Sequence, residues 1–132
     1  MRLTWEQMAM GLAEVAAKRS EDPYCKVGAC VLRHDKSVAG IGYNGGPRGI
    51  EIDWSNRDER RKRVIHAEIN ALKYVRPGEG WLLASTLLPC HHCLQVIAAH
   101  GIKYIVYGDI YKLDDLSLTL AKEWGIVLKQ IK

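Results

Sequence analysis

In the run VIHAEINAL, residues 64–72, His66 stands two positions ahead of Glu68; in LLPCHHCLQV, residues 87–96, Cys90 and Cys93 stand three apart behind Pro89. One imidazole nitrogen and two thiolate sulfurs are the donor set that zinc takes in sites that keep a fourth position open for water. Water held there has its pKa lowered to about 7 and ionises near neutral pH. A carboxylate beside that water, not itself a ligand, can take up a proton and deliver it to a leaving nitrogen. The residue types therefore suggest hydrolysis at a single metal, with His66, Cys90 and Cys93 as ligands and Glu68 as proton carrier. Either half alone is weak, because paired cysteines also build structural zinc sites and histidine with glutamate is common on helix surfaces. The two together carry the reading.

For the halves to meet, two elements must deliver them to one place. Residues two apart on a helix face nearly opposite sides, so His66 and Glu68 can share a target only off the helix start. Pro89 suits a first helical position, which puts Cys90 and Cys93 on one face of an opening turn. If both helices follow strands of one sheet, their N-termini lie at the carboxyl edge, where ligands bind in such sheets.

The rest of the chain supplies that sheet. Apolar residues at helical spacing predict a helix over 4–19, capped by Thr4. KVGACVLR (26–33) and SVAGIGYN (37–44) read as a hairpin turning at His34, Asp35 and Lys36. A long polar loop follows, from Gly45 to about Arg63, and long loops in compact domains are often functional. Helices are expected near 66–75, 90–100 and 113–124, and strands at 81–87, 103–108 and 126–131. Strands alternating with helices imply right-handed crossovers in a layered α/β domain. The 132 residues, 48% hydrophobic, suit one domain over 1–132.

The formal charge is +4, and much of the excess lies in Arg57, Arg60, Arg61, Lys62 and Arg63, read mostly as a solvated face. Four cysteines and no charged-then-apolar leader suggest a reducing, cytoplasmic setting. No apolar run approaches the roughly 20 residues of a membrane helix. Cys25 and Cys30, five apart in what reads as one strand and so on its opposite faces, are taken as core or partly buried thiols, and His91 and His92 as turned away from the metal.

The histidine–x–glutamate and proline–cysteine–x–x–cysteine pair is the signature of zinc nucleobase deaminases. With DPYCKVGACV (22–31), GIGYNGGPRG (40–49) and AAHGIKYIVY (98–107), the chain resembles the cytidine and deoxycytidylate deaminase superfamily over most of its length. GYNGGPRG points to the branch that acts on the nucleotide. The resemblance implies a three-layer α/β/α fold with a mixed five-stranded sheet and helices on both faces. It also implies attack at carbon 4 of cytosine, turning dCMP into dUMP and ammonia.

By the same resemblance, Asn44 holds the deoxyribose, while the backbone of Ala67 and of the turn before Pro89 reads the pyrimidine edge. Lys26, Arg48, Tyr111 and Lys112 are the donors available for the 5′-phosphate, with Tyr111 and Lys112 favoured by their place after a strand. Relatives of this kind are homo-hexamers activated by dCTP with Mg2+ and inhibited by dTTP. The resemblance assigns that effector to Asn44, Gly45, Gly46, Pro47, Arg48 and Gly49, with Asn70 beside them. Glycines let backbone amides approach phosphate closely. The loop carries no convincing second zinc site.

Within enzymes, the rival is a tRNA adenosine deaminase, which shares both motifs and would use a basic surface. CKVGAC and GYNGGPRG speak against a nucleic-acid substrate. A free cytidine deaminase fits less, since that branch commonly has cysteine where His66 stands. From another class, a non-catalytic nucleotide-binding regulator would need a closed zinc site, with His92 the nearest fourth ligand. Glu68 separates these, because a structural site has no use for a carboxylate there.

Overall fold

The computed structural model describes residues 1–132. Helix α1 (Trp5–Ala17) starts at Thr4, whose hydroxyl accepts from the Gln7 amide while the Gln7 side chain closes a capping box. Strands β1 (Gly28–Arg33) and β2 (Val38–Tyr43) form the expected antiparallel hairpin. After them come α2 (Arg57–Arg63), α3 (Ala67–Leu72), β3 (Gly80–Leu87), α4 (His91–Ala99), β4 (Tyr104–Asp109), α5 (Asp115–Glu123) and β5 (Val127–Gln130).

The strand order is β2-β1-β3-β4-β5. β1 runs antiparallel to both β2 and β3, whereas β3, β4 and β5 are parallel, so the sheet is mixed. Side-chain alternation divides the core between its faces. Cys30, Leu32, Leu82, Ala84 and Val106 pack on Ala9, Met10 and Ala13 of α1. Ala29, Val31, Leu83 and Ile105 pack on the opposite side with Ala71, Ile97 and Ala121, from α3, α4 and α5. This is the three-layer α/β/α fold. No helix is long and apolar enough to cross a membrane.

On β2 the positions facing α3 are Gly40 and Gly42, where a Cβ would stand 2.1 Å from the Ala71 carbonyl oxygen and 2.4 Å from the Ala71 nitrogen, respectively. Two missing side chains thus let α3 lie directly on the strand.

Three expectations need correction. The segment expected to be loop up to Arg63 contains α2, which begins at Asn56, whose side chain accepts from the Glu59 amide. Acidic Asp58 and Glu59 occupy its first turn and basic residues its last, the order that suits the helix dipole. It has no apolar stripe, so hydrophobic periodicity is silent about it. Second, α4 starts at His91, after Cys90, so Pro89 precedes the helix. Third, Cys25 lies ahead of β1, so only Cys30 is a strand residue.

Candidate metal centre and active site

Because β2 and β3 each run antiparallel to β1, they point the same way, and the helices after them start at one edge of the sheet. His66 is the N-cap of α3 and Cys90 the N-cap of α4, with Cys93 in the first turn of α4. Neither N-cap side chain makes a capping hydrogen bond, so both remain available as donors. The Cys90 loop is held from α5. The Ser117 hydroxyl donates to the Pro89 carbonyl at 2.8 Å, and Asp114 accepts from the His91 amide at 2.8 Å.

The sequence thus brings three donors together from residues far apart in the chain. His66 Nδ1 lies 3.2 Å from Cys93 Sγ and 3.7 Å from Cys90 Sγ, and the three donor atoms all lie within 4.8 Å of one another. Tetrahedral zinc with its usual bonds to nitrogen and sulfur separates such donors by about 3.6 Å. The spacing and chemistry of the donors therefore fit zinc. The thiols are already polarised: hydrogen bonds from Cys93 and His66 outweigh burial and pull Cys90 down to about 3. Cys93, donating to Cys90 and buried, is pushed up. Binding a dication would release that remaining proton.

Glu68 is 4% exposed, in the first turn of α3 beside the donors. Burial pushes its carboxyl pKa up, which His66 and its own backbone amide only partly oppose. A carboxyl so shifted can hold a proton closer to neutral pH.

A cavity of about 390 Å3 opens beside these groups, its lining including His66, Ala67, Glu68 and Cys90. That volume suits a small-molecule ligand. Asn44, Tyr111 and Lys112 line it too. The Asn44 side chain is held on three sides, accepting from the Val27 amide at 2.8 Å and donating to Cys25 O and Asp22 Oδ2. One acceptor lone pair on its Oδ1 remains for a ligand hydroxyl. The Ala67 amide opens α3 and needs no helical partner. In the turn before Pro89, the Leu88 amide is committed to the Asp109 carbonyl.

Lys26 is not brought to this cavity. Its amine donates to the Ser20 carbonyl, and the residue is not among those lining the cavity. Arg48 is also elsewhere, on a second cavity of about 430 Å3 lined by Asn44 through Gly49, Trp54 and Asn70. The Asn70 amide donates to the Tyr43 carbonyl at 2.8 Å. Asn44 borders both cavities.

Sequence reasoning missed several residues here. Arg60, from the run taken as a solvated face, is 8% exposed and lines the first cavity with Arg61, Asp22 and Cys25. Asp114 receives both the amide and the Nδ1 of His91, and the His92 ring lies against that of His91, tilted by 38° with centroids 4.1 Å apart. The only sequence sign of Arg60's difference was a partner 38 positions away, Asp22. No local pattern reveals that.

Comparison with known proteins agrees with this geometry. A family model described as the cytidine and deoxycytidylate deaminase zinc-binding region matches residues 3–109. Human deoxycytidylate deaminase is 35% identical over 115 residues, covering 80% of this chain, which spans 65% of that relative's length. The deoxycytidylate deaminase of Mycobacterium phage D29 is 36% identical over 124 residues, covering 80% of this chain and 95% of its own. Among solved structures, the dCMP deaminase of cyanophage S-TIM5 in complex with dCMP and dUMP superposes with a TM-score of 0.84 at 28% identity, over 99% of both chains. The matched region includes both helix starts that carry the donors and the strands that aim them, and on that ground the chain belongs to the cytidine and deoxycytidylate deaminase family.

Proposed function

We propose that this chain is a zinc-dependent deoxycytidylate deaminase that hydrolyses dCMP to dUMP and ammonia. The observation that carries the reading is the meeting of a His66–Cys90–Cys93 donor set with the buried carboxyl of Glu68 at one cavity. Zinc, when bound, supplies Lewis-acid activation of water for attack at carbon 4 of cytosine. Glu68 moves the protons: it accepts one from water as the carbon–oxygen bond forms and passes it to ring N3, then takes the remaining one from the C4 hydroxyl and gives it to the exocyclic nitrogen as the carbon–nitrogen bond breaks and the carbonyl forms. Its burial-raised pKa suits both roles near neutral pH. Ala67 presents its backbone to the pyrimidine edge, Asn44 Oδ1 accepts from a sugar hydroxyl, and Tyr111 and Lys112 face the phosphate end. A substrate of this kind is what the S-TIM5 relative binds.

Control by nucleoside triphosphates belongs to the same reading. The second cavity, lined by Asn44, Gly45, Gly46, Pro47, Arg48 and Gly49, with Asn70, supports binding of dCTP with Mg2+ as activator and dTTP as inhibitor. Exposed Ile41 and Tyr43 on edge strand β2, with exposed Ile50 in the loop after it, suit self-association, in a homo-hexamer. Four unpaired thiols suit a cytoplasmic setting.

The test is ammonia release from dCMP, deoxycytidine, cytidine and an adenosine-containing tRNA stem-loop, each with and without dCTP or dTTP. Expected are turnover of dCMP, raised by dCTP and lowered by dTTP, and a loss of about 10²- to 10⁴-fold in kcat in Glu68→Gln with zinc retained. Reaction of the RNA alone would replace this reading with tRNA adenosine deamination. Zinc binding without any turnover would leave a binding protein.

A further inference from the structure

The Asp22–Arg60 ion pair is the one strongly buried charge pair of the fold, with Nη1 2.6 Å from Oδ2 and side chains 9% and 1% exposed. Burying two charges rarely adds net stability over an apolar pair of similar volume, so its place calls for another explanation. The same Asp22 carboxylate accepts from the amides of Tyr24 and Cys25 and from Asn44. Arg60 also packs over the Tyr24 ring, 4.8 Å from its centroid. Its Nε is buried with no protein acceptor. Arg60 therefore ties α2 to the segment before β1 at the wall of the cavity.

Fastening α2 there has a consequence for the next residue. Arg61 is exposed and lines the same cavity as Lys112, and neither makes an ion pair. At the other end of α2, Arg57 reaches the Tyr111 hydroxyl at 3.5 Å, so the helix is joined to the β4–α5 loop as well. Asp22 offsets Arg60, and Glu68 lies at the donor end, which leaves two cations facing the outer cavity. A phosphomonoester carries about −1.5 to −2 at pH 7, a matching charge.

We propose that Arg60, held by Asp22, positions α2 so that Arg61, with Lys112 and Tyr111, receives the phosphate of a nucleoside monophosphate, and that this pair sets the preference for nucleotide over nucleoside. Arg60 is a positioning residue. The inference rests on the deoxycytidylate deaminase reading for the rest of the substrate, but its test does not need turnover.

The experiment compares dissociation constants of dUMP and deoxyuridine by calorimetry on zinc-loaded wild type, Arg61→Ala and the double variant Asp22→Asn/Arg60→Gln, with melting curves alongside. Wild type is expected to favour dUMP, and both variants to reduce that preference by about 10- to 100-fold, the usual effect of losing charged hydrogen bonds. The double variant, with no uncompensated charge, should melt near the wild type. A purely structural ion pair would then keep the preference intact. A preference unchanged in both variants, or absent from wild type, overturns the proposal. Should Arg60→Gln alone fail to fold, the double variant and exposed Arg61→Ala still decide it. If the preference falls as expected but no dCMP is turned over, the reaction assignment fails and this inference stands; normal turnover with an unchanged preference sinks this inference alone.

Discussion

Gly42→Ala tests whether the close approach of β2 and α3 sets the metal site. A Cβ at Gly42 would stand 2.4 Å from the Ala71 nitrogen, 2.7 Å from the Ala67 carbonyl oxygen and 2.7 Å from the Asn70 carbonyl carbon. All three are backbone atoms of α3, so no side-chain rotation relieves the clash. Restoring an ordinary 3.4 Å contact from 2.4 Å requires α3 to retreat by about 1 Å (3.4 − 2.4). Ala67 is the neighbour of both His66 and Glu68, so the shift falls on a candidate metal donor and the proposed proton carrier together. Metal distances tolerate only about ±0.2 Å, and a misplacement of about 1 Å can cost about 10²-fold in rate. The expectation is a stability loss of about 1–3 kcal/mol by urea denaturation, weaker zinc binding by chelator competition, and kcat/KM for dCMP down by about 10²-fold. Gly11→Ala is the control. It lies within α1 with nothing within 4 Å of its added Cβ and should stabilise by about 0.5–1 kcal/mol with activity unchanged. Zinc affinity and turnover of Gly42→Ala within twofold of wild type would refute the argument.

Asp114 caps α5 through the Ser117 amide and also receives the His91 amide and ring, so Asp114→Ala should cost about 2–4 kcal/mol, whereas Asp114→Asn keeps the cap and should cost about 1 kcal/mol. Burial pushes this carboxyl up, but hydrogen bonds from His91 and Ser117 outweigh it and hold it at about 2. A folded pKa below the unfolded one means stabilisation that is present above about pH 4 and lost as pH falls toward 2. In metal-free protein, the stability difference between wild type and Asp114→Asn should shrink over that window, and a constant difference would contradict the charge assignment. Removing metal with a chelator should abolish deamination and lower the melting temperature, with readdition of zinc restoring both. Free zinc at about 100 times its dissociation constant corresponds to about 2.7 kcal/mol.

What could be read from the sequence follows from how each feature is encoded. The hairpin, the parallel strands and α1 rest on local periodicity and on a cap, Thr4, that sits beside what it caps. The donors were legible because each motif packs two functional residues within a single turn, and the chemistry of the set is distinctive. Helix α2 was missed because its signal is an N-cap and a charge gradient without an apolar face. Arg60 was misread because its burial depends on Asp22, and one arginine among five basic residues carries no mark of its partner. Lys26 was offered with three other residues as a phosphate donor on chemical type alone, and its amine is turned to the Ser20 carbonyl. Charge is a surface-wide property, whereas burial is decided by contacts between distant segments.

The metal centre also shows why local rules and function part company at this edge of the sheet. N-cap positions favour serine, threonine, aspartate or asparagine, each stabilising a helix by about 1 kcal/mol over a residue that cannot cap. Thr4, Asn56 and Asp114 follow that rule at α1, α2 and α5. His66 and Cys90 break it at α3 and α4, the two helices whose starts converge on the cavity, and neither makes the capping bond. Two uncapped helix starts at one site are a local cost without a local gain. The gain lies in the donors themselves, since unpaired first-turn amides lower the pKa of a nearby thiol and leave the Ala67 backbone free for a ligand. Asp114 then meets part of the need from outside, accepting the first amide of α4 from the start of α5. The helix ends that look least well made for stability are the ones arranged to bind.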